Sequence, residues 1–223
     1  MFFHSSSRLS IPAQRRVVLV AGGSGTLGQA LLSQKPSGTL LANVSKSRFL
    51  AGHDVVTCQF DLVKEPERAF RHLAALLPFV DVFVYAAYSP TFSPFARIER
   101  KRFLAEYETN VYTAMLCTRL CAEHFWNSNE ENRNRSRKVI LISSAAAFGK
   151  THRPELASYS ATKAALNALG PYVHDYLFET YGIPVSILAP GSLRNPETEA
   201  KFVSKFWEVS SAPLERFMIE TIV

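Results

Sequence analysis

Arg16-Val17-Val18-Leu19-Val20-Ala21-Gly22-Gly23-Ser24-Gly25-Thr26-Leu27-Gly28 is the stretch from which the rest of the chain can be read. Its first half is a short apolar run without alternation, as in a strand covered on both faces. Its second half places glycines at 22, 25 and 28, a G-x-x-G-x-x-G spacing that opens a helix over Thr26 to Gln34. Small residues let the main chain approach a pyrophosphate, and a helix N-terminus offers free N–H groups with a partial positive charge. Strand, glycine turn and helix together indicate a nucleotide site that includes Ser24, Thr26 and Leu27; the plain alternative is a tight loop. No Gly-Lys-Ser/Thr follows, so the turn is not a Walker loop.

Outward from this unit the chain keeps alternating. Lys35-Pro36-Ser37-Gly38 stops the first helix, and strands are expected at Thr39 to Val44, Asp54 to Phe60, Asp81 to Ala86, Val139 to Ile142 and Ile183 to Leu188. Between them lie helices at Pro66 to Leu77, Ile98 to Trp126 and Glu155 to Tyr181, with Gly170-Pro171 as a candidate bend, and an exposed polar connection at Asn127 to Lys138. The expected class is α/β: a doubly wound parallel sheet of the Rossmann type with helices on both faces. It forms one domain over residues 16–223, after a flexible basic tail at 1–15. Beyond Pro190-Gly191 no seventh strand is evident. Residues 192–223 read as a short substrate-covering segment, in which Glu197 to Trp207 forms an amphipathic helix, either packed or closing as a lid.

Composition bounds the function. Of 223 residues 47% are hydrophobic and 20% charged, the globular range. Six basic residues, Arg8, Arg15, Arg16, Lys35, Lys46 and Arg48, precede the first acidic one, Asp54, and 19 basic and 19 acidic residues remain. A charge excess confined to one end argues against a nucleic-acid surface; it fits a basic tail or a pocket for a phosphate-bearing ligand. No apolar run approaches the roughly 18 residues a membrane span needs. Three cysteines form no even disulfide framework, so a reducing, cytoplasmic setting is expected, with organellar targeting by the Ser- and Arg-rich tail as the alternative. Cys117 and Cys121 read as small buried residues rather than metal ligands.

In such sheets ligands bind beyond the carboxyl ends of the strands, and the chemistry-bearing residues sit there. The second strand ends in Val44-Ser45-Lys46-Ser47-Arg48, with no Asp or Glu to accept from ribose hydroxyls. Ser45, Lys46 and Arg48 instead favour the 2′-phosphate of NADP(H), with NAD(H) as the alternative. Tyr159 and Lys163 lie four apart on one helix face, where an ammonium can ease loss of the phenolic proton. Tyr85, Tyr88, Phe92 and Phe95 follow the fourth strand and either border the expected cleft or pack in the core, the commoner role for such residues; His152-Arg153 lies between Ser144 and Tyr159.

Taken in order, these residues resemble a short-chain dehydrogenase/reductase over Val17 to Leu193. The resemblance implies that Gly22, Gly25 and Gly28 are cofactor glycines, that Asp61-Leu62 flanks the adenine, and that Ala86-Ala87 stands where the family has Asn-Asn-Ala-Gly. It also implies that Pro190-Gly191 flanks the nicotinamide carboxamide and that Asn110, Ser144, Tyr159 and Lys163 form the catalytic tetrad. Tyr159 would be the general acid, Lys163 its electrostatic helper and ribose ligand, Ser144 a donor to the carbonyl oxygen, and Asn110 the holder of a relaying water. The implied activity is NADP(H)-dependent interconversion of a small-molecule carbonyl and alcohol. The implied assembly is a homodimer or homotetramer through the two long helices. Two other readings stand beside it: a nucleotide-sugar epimerase or dehydratase, and a non-catalytic NADP-binding regulator of the same fold.

Overall fold

β1 (Arg16–Ala21) runs through the middle of the molecule, and its five residues from Val17 to Ala21 are fully buried. The computed structural model of the chain describes residues 8–47, 52–127, 135–149, 153–213 and 216–222. After β1 come α1 (Thr26–Ser33), β2 (Thr39–Ser45), β3 (Val55–Gln59), α2 (Pro66–Leu76) and β4 (Val82–Tyr85). A continuous helical rod follows: α3 (Arg100–Tyr107), a π-turn segment at Glu108–Tyr112, α4 (Thr113–Cys121) and a second π-turn segment at Ala122–Trp126. The chain continues through β5 (Lys138–Ile142), α5 (Ala157–Tyr181), β6 (Val185–Pro190), α6 (Pro196–Ser211) and β7 (Met218–Ile222).

The seven strands form one sheet in the order β3-β2-β1-β4-β5-β6-β7, and every neighbouring pair is parallel. Alternation along the strands divides the core. Val17, Leu19 and Ala21 of β1, with Val139 and Leu141 of β5, face Phe70, Leu73, Cys117, Trp126, Leu166 and Leu177 of α2, the rod and α5. Val18, Val20, Ile140 and Ile142 face the opposite layer, where Leu27 and Leu31 of α1 meet Phe202, Val203 and Phe206 of α6. Because both faces are covered, the strands carry continuous rather than alternating apolar runs.

A seventh strand, not evident in the sequence, is present. β7 extends the sheet in parallel register with β6, from Ser186 opposite Met218 to Pro190 opposite Ile222. An edge strand needs only one partner and one covered face, so its sequence lacks the apolar continuity of β1. Long-range packing holds it in place. Phe217, just before it, fits against the bare face of Gly170, where an added Cβ would lie 2.7 Å from the ring, and meets the His174 ring at 5.9 Å. α5 is assigned as helix without a break through Gly170 and Pro171.

α6 is seated by cations on the first and fifth strands. Arg16 donates to the Ser210 carbonyl and, at 2.8 Å, to the Ser211 hydroxyl. Buried Lys138 donates to the carbonyls of Val209 and Ala212. Such groups satisfy the orphan carbonyls and negative pole of a helix C-terminus. At the other end of the chain, the segment expected as a free tail is tied down from Arg8 onward. Leu9 N–H donates to the Leu76 carbonyl at 2.8 Å, and Arg135 donates to the carbonyls of Ala13 and Arg15.

Candidate active site

The carboxyl ends of β1, β4, β5 and β6 converge on a cavity of about 600 Å3. It brings together Gly22, Gly25, Thr26, Leu27, Ala86, Ser144, Tyr159, Lys163, Pro190 and Gly191 from the residues expected on sequence. Each strand delivers its contribution by pairing one step past its end. Gly22 N–H donates to Val44 O at 2.7 Å, Ala86 N–H to Ala21 O at 2.8 Å, and Ser143 N–H to Leu188 O at 2.8 Å.

The glycine turn fits a dinucleotide. Gly22 has φ +87°, and a Cβ there would lie 2.4 Å from the Ala87 backbone, which brings Ala87 against the turn. Gly28 packs against the Gly23 main chain and stays behind the cavity wall. At Gly25 an added Cβ meets nothing within 4 Å, so the space beside it is open. The first intrahelical bond of α1 runs from Gln29 N–H to Gly25 O, leaving the N–H groups of Thr26 and Leu27 without helical partners at the cavity edge.

The residues expected around the adenosine half form a neighbouring cluster at the ends of β2 and β3. Lys46 Nζ lies 3.2 Å from Asp61 Oδ2, so the cation expected at a 2′-phosphate and the carboxylate expected at the adenine are partners of each other. Asp61 Oδ1 also accepts from Val63 N–H at 3.2 Å, while Leu62 is buried in the core. Ser45 is buried, its hydroxyl donating to Ser47 O at 2.7 Å. Arg48 and His152 lie outside the described residues.

At the cavity floor the geometry is specific. Ser144 Oγ accepts from Ala146 N–H at 3.2 Å, capping the short turn Ala145–Phe148, and the side chain lines the same cavity as the Tyr159 phenol. Burial pushes Tyr159 up to about 12, and Ser144 draws it back. Lys163, one helical turn on, has Nζ 5.8 Å from the Tyr159 ring centre and donates to Ile142 O at 2.8 Å. Burial pulls Lys163 down to about 7.

Lys163 makes stability depend on pH. Its folded pKa lies below the unfolded value near 10.5, so between about pH 7 and 10.5 the unfolded chain binds more protons and stability rises with pH. Lys138, pulled down to about 8 by burial and by Arg16, joins only above that value. Urea unfolding at pH 7 and 8 should show a gain of about 1 kcal/mol from this group, and Lys163→Met should remove it. An equal gain in the variant would refute the assignment.

Asn110 sits fully buried in the first π-turn segment. Its Oδ1 accepts from Ser89 N–H at 2.9 Å, and its Nδ2 donates to Ser89 O at 3.3 Å and Thr162 Oγ1 at 3.0 Å. The side chain thus pins the loop after β4 to α5. That loop carries Tyr88, Pro90 and Phe92 into the cavity wall, with Tyr88 edge-on to Tyr159 at 6.4 Å. Tyr85 is instead a core residue, its hydroxyl on Thr109 O at 2.6 Å.

Sequence reading missed Glu106. It is 0% exposed on a helix whose other residues are not buried, and its Oε1 accepts from Thr91 N–H at 2.9 Å in the same loop. Its Oε2 has no hydrogen-bond partner among the described residues, and its charge acts on Tyr159. A lone glutamate in the polar run of α3 carries no sequence mark of burial; the crossing loop buries it. Arg194, two residues past the missed Ser192, also lines the cavity.

The comparisons agree with this geometry. A mutant short-chain dehydrogenase/reductase of Serratia marcescens superposes with a TM-score of 0.76 at 17% identity, covering 94% of this chain and 97% of that one. Serine dehydrogenase from Escherichia coli gives 0.73 at 19% identity, over 93% and 97% of the two chains. A Brucella ovis oxidoreductase solved with partially ordered NAD gives 0.74 at 18% identity, over 94% and 100%. At these identities the likeness establishes the fold alone. No curated protein matches by sequence. The family model described as short chain dehydrogenase matches residues 16–205, and the chain belongs to this family of NAD(P)-binding oxidoreductases.

Proposed function

We propose that the protein is an NADP(H)-dependent oxidoreductase that interconverts a carbonyl and an alcohol. The observation that carries this reading is the convergence of Ser144, the Tyr159 phenol and Lys163, one helical turn on, at the floor of the cavity edged by the glycine turn. A bound dihydronicotinamide supplies the hydride. Negative charge develops on the substrate oxygen as the carbon accepts it, and Tyr159, the general acid, donates its proton there. A phenol held above its ordinary pKa stays protonated until that oxygen needs the proton. Ser144 Oγ donates to the same oxygen and fixes its position. Lys163, buried and close to neutrality, is poised to bind ribose hydroxyls and to take up the proton balance behind Tyr159. Asn110 sets the loop from which Tyr88 reaches Tyr159, and its role in holding a relaying water belongs to the same proposal.

The NADP(H) preference rests on the end of β2, where Ser45 and Lys46 stand without an acidic residue on that strand. Asp61 is drawn to Lys46 and so is less available to ribose hydroxyls. Exposed Leu104, Tyr107 and Tyr112 on the rod and Tyr172 and Tyr176 on α5 support a homodimer through these helices. No described helix is long and apolar enough to cross a membrane.

Calorimetric titration should give NADPH at least tenfold tighter binding than NADH, and a carbonyl panel should elicit NADPH oxidation. Equal binding of the two nucleotides would remove the cofactor preference. NADPH binding without turnover of any aldehyde or ketone would favour the regulatory alternative.

A further inference from the structure

The cavity is electrically one-sided. Lys163, Arg153 and Arg194 line it, and no aspartate or glutamate does. Lys163 is committed to the floor, where it donates to Ile142 O. The two arginines come from different walls: Arg153 immediately precedes the short turn Pro154–Leu156, and Arg194 lies in the loop between β6 and α6. Arg153 is oriented from behind. Its Nε and Nη2 both meet Glu155 Oε1, at 2.8 and 2.7 Å, which leaves part of its five-donor fork uncommitted. The Glu155 carbonyl in turn accepts from Ser93 N–H at 3.1 Å, joining this rim to the loop that carries Tyr88, Pro90 and Phe92. Arg194 is exposed and has no hydrogen-bond or ion-pair partner among the described residues. Leu156 and Leu193 add apolar surface to the same cavity as Tyr88 and Phe92.

We infer that the substrate is a carbonyl compound bearing a carboxylate on an aromatic or apolar body, with the carboxylate held by Arg153 and Arg194 and the body laid against Tyr88 and Phe92. The inference rests on the carbonyl-reduction reading above and names its substrate class. Guanidinium groups match a carboxylate in plane and bidentately, and an apolar wall strengthens the attraction by excluding water. With a 2-oxo acid so held, C2 accepts the hydride and Tyr159 supplies the proton to its oxygen. The products are the 2-hydroxy acid and the oxidised cofactor, so atoms and electrons balance.

The dinucleotide's own phosphates are the rival anion for Arg194, so the test is run with that site filled. Benzoylformate and its uncharged methyl ester are titrated calorimetrically into enzyme saturated with NADP+, and both are assayed with NADPH. The acid should bind at least tenfold more tightly than the ester and show a correspondingly lower KM. Arg153→Met and Arg194→Met should each bring the acid-to-ester ratio towards one. Equal binding of acid and ester, or a ratio preserved in both variants, would overturn the inference. Turnover of the ester as efficient as that of the acid would remove the anion site and leave carbonyl reduction standing. Arginine-dependent binding of the acid without turnover would leave the anion site and remove the reaction.

Discussion

Tyr159→Phe should lower kcat for carbonyl reduction by about 10²–10⁴-fold, the share that a positioned general acid contributes, while NADPH still binds. The variant deletes one oxygen and keeps the ring, so the edge-on contact with Tyr88 and the packing of α5 survive. Ser144 keeps the bond from Ala146 N–H, so the end of β5 holds its shape. Stability should therefore change little, and the lost rate can be assigned to the proton. The pH profile adds a second readout. The wild-type rate should persist on the alkaline side further than a free tyrosine would allow, because burial pushes this phenol up to about 12. Wild-type turnover in Tyr159→Phe would remove Tyr159 as the general acid and with it the proposed mechanism.

The features that make this test possible differ in how far the sequence disclosed them. Tyr159, Lys163 and Ser144 were legible because each stands at a fixed offset from a strand end or on one helix face, and a parallel sheet gathers strand ends at one edge. The glycine turn was legible because its spacing reflects a local contact, the close approach of Gly28 to the Gly23 main chain. What stayed hidden depends on residues far apart in the chain. β7 is held by pairing with β6 and by Phe217 against Gly170, neither of which five half-exposed residues declare. The ion pair between Lys46 and Asp61 joins the ends of two strands and changes what each residue offers a ligand. Glu106 looks like any surface glutamate of a polar helix until the loop after β4 is laid over it. The spacing of Tyr159 and Lys163 discloses their proximity and not the burial that acts on both groups.

Gly28→Ala should abolish measurable NADPH binding and destabilise the protein, whereas Gly25→Ala should weaken binding and leave stability intact. At Gly28 a Cβ would stand 1.9 Å from the Gly23 carbonyl oxygen and 2.5 Å from its Cα. Both neighbours are main chain, so no side chain can swing aside, and the turn must move away from α1. Overpacking of this kind costs about 1–3 kcal/mol, and the displaced turn would carry the N–H groups of Thr26 and Leu27 out of line with a pyrophosphate. At Gly25 the backbone has φ −85° and nothing lies within 4 Å of the added carbon, so folding tolerates alanine. That same open space is the cavity edge, and a methyl group there would meet only a bound ligand. The pair of variants therefore separates the glycine needed for the turn from the glycine needed for the cofactor. Thermal unfolding reports the first and nucleotide titration the second. If Gly25→Ala binds NADPH as tightly as wild type, the dinucleotide does not cross this turn, and the cofactor site must be sought elsewhere on the sheet edge.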